Sequence, residues 1–340
     1  MGRIYLRLLF LLLLFAVGSE ASEPLAPVKL LEPKDNTLYI GELATVVIKA
    51  SANEIDTVTI TLDNNKSYKT AVTTEKETYC KSVRLQVGEN TLTLSTYLKG
   101  NKLQESKLKL FYLPELYEGL EDEPEDFDTR FFHTDENEKV CASCHNMTSN
   151  IPEDNEVFED VTQTTCYDCH KTLVSKKNSH APASNWLCTE CHDGEFGEYN
   201  MQHEGASKYL VRDPVKRSCE GCHEPAKAWD HSKYTHGPVN DGRCERCHNP
   251  HGSDNEFFLR KPIWELCTTC HAEKAEGKHV ISSFVFGSSH PTQGKPDPSR
   301  PGRELVCSGC HNPHGSTGIH LLRMKGSVPF GVCQRCHDKR

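Results

Sequence analysis

Beyond residue 140 the chain carries eight copies of the pattern Cys-x-x-Cys-His: Cys141 to His145, Cys166 to His170, Cys188 to His192, Cys219 to His223, Cys244 to His248, Cys267 to His271, Cys307 to His311 and Cys333 to His337. Each places two thiols three positions apart and an imidazole directly after the second. Two chemistries use such a set. Paired thiolates with histidine hold zinc. Alternatively, the thiols add across the two vinyl groups of a porphyrin, and the histidine takes one axial position of its iron. Zinc ribbons do not require a histidine after every Cys-x-x-Cys pair. With histidine at only about one residue in twenty, chance would place one after all eight pairs with a probability on the order of one in ten billion. The sequence therefore predicts eight covalently attached haem c groups. Their attachment residues would be Cys141, Cys144, Cys166, Cys169, Cys188, Cys191, Cys219, Cys222, Cys244, Cys247, Cys267, Cys270, Cys307, Cys310, Cys333 and Cys336. Their proximal iron ligands would be His145, His170, His192, His223, His248, His271, His311 and His337.

Ten further histidines could fill the eight distal positions: His133, His180, His203, His231, His236, His251, His279, His290, His314 and His320. His133, His180 and His236 each lie eight residues before the first cysteine of a motif, and His290 stands in the same relation to Cys307 across a longer loop. The motifs thereby group into four pairs. The stretches 244–253 and 307–316 both read Cys-x-x-Cys-His-Asn-Pro-His-Gly-Ser, and each runs on to Leu-Arg at 259–260 and 322–323. This is an internal repeat. His251 follows His248 by three residues, too few to swing round the porphyrin to the opposite face of the same iron, so it should ligate a neighbouring haem. The same holds for His314 and His311. Each such histidine pair would then clamp two irons through one short segment.

His231 and His279 each fall eight residues after a proximal histidine, His223 and His271, which makes them ligand candidates beside the alternative of exposed loop residues. His320 has no repeat partner. The first pair departs from the pattern, with Asn146-Met147-Thr148 after His145 and Asn178 at the offset that holds His231 and His279 elsewhere. Three readings stay open for its missing ligand: the sulfur of Met147, which would raise that haem's potential, a histidine from another pair, or neither, Met147 being an ordinary loop residue.

The pattern CxxCHxPHGS followed by a second CxxCH resembles the doubled-CxxCH family of multihaem cytochromes, closely over the two later pairs and loosely over residues 133 to 223. The resemblance implies bis-histidine haems and electron transfer. The region also holds roughly 25 residues per motif, too few to build an apolar core around each site. The haems must then pack against one another, edge to edge, as fast electron hopping requires. An enzyme acting on nitrogen or sulfur oxyanions is the alternative, and it needs one iron with an open position. Related enzymes often carry CxxCK at that iron. No CxxCK occurs here, although the irregular first pair leaves room for such a site.

The elements that must position these residues fall into distinct stretches. Residues 1–21 join Arg3 and Arg7 to an apolar run from Leu8 to Val17 and small residues at Ser19 and Ala21, the pattern of a secretory signal. The run is about half the roughly 20 residues that span a bilayer. An exported protein, periplasmic or extracellular, is expected. Residues 22–113 contain one cysteine, Cys80, read as a plain structural thiol, and runs of strict alternation such as Val58, Ile60 and Leu62 between Thr57, Thr59 and Thr61. Val83-Arg84-Leu85-Gln86-Val87, Leu92-Thr93-Leu94 and Leu108-Lys109-Leu110 repeat the pattern between turn signals. About seven strands fit a β-sandwich, and residues 85–94 resemble the hairpin near the end of bacterial immunoglobulin-like domains. Residues 114–132 form an acidic linker, with Glu121-Asp122-Glu123-Pro124-Glu125-Asp126 too polar to fold alone. Its two readings are a solvated spacer and a docking strip for a basic redox partner. Residues 133–340 make the haem-packed domain of short helices and loops.

The expected partners are other redox proteins, multihaem cytochromes or a quinol-linked donor, with a surface or porin complex reached through the β-domain. No nucleic acid is expected of a chain with net charge −9.

Overall fold

The computed structural model describes residues 28–120, 124–150, 160–200, 205–276, 279, 290–323 and 331–337. The expected secretory signal at 1–21, the run 121–123 and His203 lie outside these residues.

Eight strands fill the first part: β1 (Val28–Glu32), β2 (Thr37–Tyr39), β3 (Leu43–Ala50), β4 (Thr57–Leu62), β5 (Ser67–Ala71), β6 (Thr78–Arg84), β7 (Gly88–Leu98) and β8 (Asn101–Tyr112). They form two sheets, one ordered β1-β3-β6 and one β5-β4-β7-β8-β2, the latter extended by β9 (Asp128–Thr129). The alternation read in the sequence sets the faces. Val58, Ile60 and Leu62 on β4, Leu92 and Leu94 on β7, and Leu108 and Leu110 on β8 are buried against Ala44, Val46 and Ile48 of β3 and Val83 of β6. Side chains two apart on a strand share a face, so one apolar period produces one inner face. β7 and β8 join through Lys99 (φ 51°) and Gly100 (φ 82°), the two left-handed residues that match the twist of a tight antiparallel hairpin.

Two details differ from expectation. There are eight strands here rather than about seven, because Thr37–Tyr39 is too short to carry alternation and pairs in parallel with β8. Val87 does not continue the buried series of Val83 and Leu85 but is half exposed. The buried Asn90 side chain turns the chain there, accepting from the Gln86 amide at 2.8 Å and donating to the Gln86 carbonyl at 2.7 Å.

Past residue 130 the chain is mostly loop, and its longest helices span only Asp135–Ala142 and Ile263–Cys270. Thr134 caps the first, accepting from the Asn137 amide. Among the described residues here the only buried large apolar side chains are Trp186, Leu266 and Leu305, and no helix is long and apolar enough to cross a membrane. Two short antiparallel ladders tie distant parts together: β10 (Asn178–Ser179) pairs with β12 (Gly252–Ser253), and β11 (Tyr234–Thr235) pairs with β13 (Gly315–Ser316). A Cβ on Gly252 would lie 2.5 Å from the Asn178 carbonyl oxygen, and one on Gly315 would lie 2.6 Å from Ser232 Oγ. That contact accounts for the glycine of the repeated His-Gly-Ser.

The first residues of the acidic segment are docked, while Glu125 and Asp126 are exposed. A 3-10 turn at Glu115–Tyr117 brings Glu115 to 2.7 Å from Arg260 and Tyr117 Oη to 2.7 Å from Lys261 Nζ, while Glu118 reaches Arg243 at 2.8 Å. The sandwich adds Glu32 with Arg130 at 2.9 Å and Glu42 with Lys176 at 3.4 Å.

Candidate haem-binding site

Seven of the eight proximal histidines face a second imidazole at nearly one separation. Ring centres lie 6.0 Å apart for His170 and His133, 5.9 Å for His192 and His251, and 5.9 Å for His223 and His180. The series continues with 6.0 Å for His248 and His314, 6.2 Å for His271 and His236, 5.8 Å for His311 and His279, and 6.4 Å for His337 and His290. Packed rings touch at closer range, as Trp229 does at 4.0 Å from His314. Two imidazoles bonded to one metal at about 2.0–2.1 Å, each ring centre about 1 Å beyond its nitrogen, stand roughly 6 Å apart. Such a spacing would let each pair of imidazoles hold one haem iron.

The other ring nitrogen is held in at least five of these fourteen histidines. Nδ1 of His192, His248 and His311 lies 3.0, 2.8 and 2.7 Å from the carbonyls of Tyr209, Phe257 and His320. Nδ1 of His180 meets the Pro250 carbonyl at 2.9 Å, and that of His133 meets Glu138 Oε1 at 3.0 Å. Such a bond fixes the tautomer and leaves Nε2 free as a metal ligand. Burial pushes His170, His251 and His314 down to about 4, so these rings are neutral at neutral pH, as ligation requires.

The thiols fall into a linear order. Between pairs, first cysteines approach within hydrogen-bonding reach: Cys166 with Cys188, Cys219 with Cys244, and Cys267 with Cys307. Within pairs, second cysteines face each other: Cys191 with Cys222, Cys247 with Cys270, and Cys310 with Cys336. Successive motifs are thus neighbours throughout. One continuous cavity of about 2700 Å³ runs past seven of the proximal histidines, from His145 to His311, and no protein layer divides it. The donors are spread in pairs along it. Among the described residues no three histidine, cysteine or acidic side chains gather as a metal-ion site, an arrangement that fits haem and not tetrahedral zinc.

The chain brings together His133, His180, His236, His251, His279, His290 and His314 with proximal partners, but not every candidate. His231 sits in a 3-10 turn and meets no proximal ring among the described residues. His203 lies outside the described residues, and His145 has no ring partner within them. Met147 lines the cavity beside His145, its carbonyl accepting from Tyr209 Oη at 3.1 Å. Cys80 is exposed on the outer face of β6, with its thiol near Cys141, Cys144 and Cys169.

Sequence reasoning missed the backbone acceptors. His320 acts through its carbonyl, and it shares with Leu321 the left-handed conformation that Phe257 and Phe258 adopt in the other repeat. The repeat was the available signal, since both turns end on Leu-Arg.

Residues 236–276 and 300–340 match the model of the doubled CXXCH motif family. Over 208 residues the chain is 28% identical to the multiheme cytochrome MtrA of Shewanella baltica, covering 59% of this chain and 52% of that protein. The chain thus spans about half the length of that curated relative. Among solved structures, the fibronectin(III)-like modules of CbhA from Clostridium thermocellum are 19% identical, with 26% of this chain and 96% of theirs covered at a TM-score of 0.22.

Proposed function

For this chain, a multihaem c-type cytochrome, we propose a wire of eight haems in single file, seven of them held by two histidines, that moves electrons from one end of the chain to the other. The observation that supports this best is the recurrence of a spacing near 6 Å in seven proximal–distal imidazole pairs.

A rule runs through those pairs. The histidine upstream of each motif pair serves the second motif of that pair: His133 with His170, His180 with His223, His236 with His271, and His290 with His337. The first motif of a pair draws its ligand from elsewhere: His251 reaches back to His192, His314 reaches back to His248, and His279 reaches forward to His311. Each cross-link binds one pair to its neighbour, so ligation itself enforces close approach. When bound, the haem iron supplies one-electron exchange between its ferric and ferrous states. At seven of the eight motifs a second histidine would exclude substrate from the metal, which favours carriage of electrons over chemistry on an oxyanion. The ladders β10–β12 and β11–β13 fix the backbone around His180, His251, His236 and His314.

The proposal extends to residues 22–113 as a β-domain, 133–340 as the haem domain and 1–21 as a cleaved export signal, which places the protein in the periplasm or outside the cell. Its partners would be other multihaem cytochromes or a quinol-linked donor, with the β-domain available to a surface or porin complex, in anaerobic respiration or extracellular electron transfer.

Mass spectrometry of the purified holo-protein should show eight haem additions, and its oxidised spectrum should be dominated by low-spin bis-histidine signals. Strong high-spin signals together with turnover of nitrite, hydroxylamine or tetrathionate would overturn the electron-transfer reading. His251→Ala should convert one haem to high spin and leave the others unchanged.

A further inference from the structure

The two near-identical repeats differ in how one guanidinium is compensated. In the third pair, Arg260 is tied to motif five: its amide donates to the Cys247 carbonyl at 3.0 Å and its Nε to the Glu245 carbonyl at 2.6 Å. In the fourth pair, Arg323 repeats the arrangement on motif seven, with its amide on the Cys310 carbonyl at 2.8 Å and its Nε on the Ser308 carbonyl at 2.9 Å. Arg323 lines the cavity, and Arg260 follows Leu259, which lines it too.

Their surroundings are opposite in sign. Glu115 of the acidic segment neutralises Arg260 at 2.7 Å. Arg243 beside it faces Glu118 at 2.8 Å and Asp213 at 3.4 Å. Glu245, within motif five, is buried and carries an unpartnered Oε2. Three carboxylates, Glu115, Glu118 and Asp213, therefore stand against Arg243, Arg246 and Arg260, while burial pushes Glu245 up to about 7. Around motif seven Ser308 and Gly309 replace Glu245 and Arg246. Arg323 there faces two more guanidinia, those of Arg300 and Arg335. Among the described residues the one carboxylate facing them is Asp297, bound to Arg300 at 2.6 Å, and a Cβ on Gly309 would lie 3.3 Å from Asp297 Oδ2 and 3.4 Å from Arg300 Nη2. Arg303 is neutralised by Glu256 at 2.7 Å.

We infer that this divergence grades the wire: the fourth pair, with uncompensated arginines, is held at higher potential than the third, whose arginines are neutralised, and electrons run from the third pair to the fourth. The inference rests on the bis-histidine reading above. In the step itself the third pair loses one electron and the fourth gains it; no bond or proton is exchanged. A fixed positive charge lowers the energy of an added electron, and the effect is large inside a poorly solvated cavity. The carboxylates that every haem carries are common to both repeats and cancel in the comparison, whereas Glu115 and the arginine cluster do not. The acidic segment thus acts as a potential-setting strap, its docked end placing one negative charge at motif five.

Spectropotentiometric titration of the holo-protein tests this. Arg323→Gln should lower the ferrous-to-ferric ratio in the high-potential limb roughly tenfold at a fixed potential, equivalent to about 59 mV for one electron. Arg335→Gln, at an exposed position with no bond to lose, should move the same limb the same way by less. Glu115→Gln should raise the low-potential limb, and Arg323→Lys should restore most of the loss. Titrations of Arg323→Gln and Arg335→Gln that superimpose on the parent, with low-spin spectra intact, would overturn the gradient and leave the wire standing. High-spin spectra in the parent itself would overturn the wire.

Discussion

The two halves of the chain solve the folding problem by different means. The sandwich buries seventeen residues in a continuous apolar cluster drawn from both sheets, whereas the second half surrounds a cavity with cysteines and histidines and buries three large apolar side chains among its described residues. Hydrophobic burial supplies most of what opposes chain entropy. The sandwich holds that term in its own side chains. The second half must draw it from the haems, which makes its fold conditional on a cofactor in the way that small metal domains depend on their metal.

The sharpest way to break this comparison is to withhold haem. Chain produced without haem attachment should keep the sandwich and lose ordered structure beyond residue 133, so that limited proteolysis leaves a fragment close to residues 22–113 and far-UV circular dichroism shows strand with little helix. A haem-free chain resisting proteolysis over its whole length would show that the second half has a protein core of its own. A smaller effect, confined to the other half, comes from Leu110→Ala. This side chain is fully buried on β8, and its truncation should cost about 2–5 kcal/mol of sandwich stability with no change in the haem spectrum.

The ladders link the two principles, since they are protein contacts that set haem spacing. Gly252→Ala would drive a methyl into the Asn178 carbonyl of β10, a backbone neighbour that cannot move aside. Gly315→Ala meets the side chain of Ser232, Oγ at 2.6 Å and Cβ at 2.8 Å, but no backbone atom within 3 Å, and only Gly252 of the two has a φ, +129°, that strains an alanine. Gly252→Ala should therefore perturb the low-spin signal of the haem between His192 and His251 more than Gly315→Ala perturbs that between His248 and His314. Equal effects would mean that ligation alone, without the ladders, sets the spacing.

Much of this was legible in the sequence where a residue type is tied to one task. The strict alternation of Val58, Ile60 and Leu62 marked an inner face because a strand has a period of two. The offsets of His133, His180 and His236 marked histidines that the fold sets opposite a proximal ring, because the same spacing returned before three motifs. What could not be read was which iron each ligand serves, since that depends on how separate pairs dock. His231 shows the limit: its offset from His223 repeats that of His279 from His271, yet only His279 reaches a proximal ring, that of His311, which belongs to the next pair. The short strand Thr37–Tyr39 was also hidden, because its partner on β8 lies some seventy positions away.

The weakest effect belongs to the seam between the halves. Glu42 at the start of β3 pairs with Arg84 and, at 3.4 Å, with Lys176, while Arg84 also donates to the Thr172 carbonyl at 3.2 Å. Ion pairs at a partly solvated seam contribute little, about 0–1 kcal/mol, and salt screens them. Glu42→Gln should therefore leave the melting of both halves within that range and leave every haem spectrum unchanged, because the Arg84 bond to Thr172 and the Glu115, Glu118 and Glu32 pairs still hold the seam. If this single change separated the two melting transitions, the seam would be an electrostatic latch centred on Glu42, and the independence of the two halves would be conditional on it.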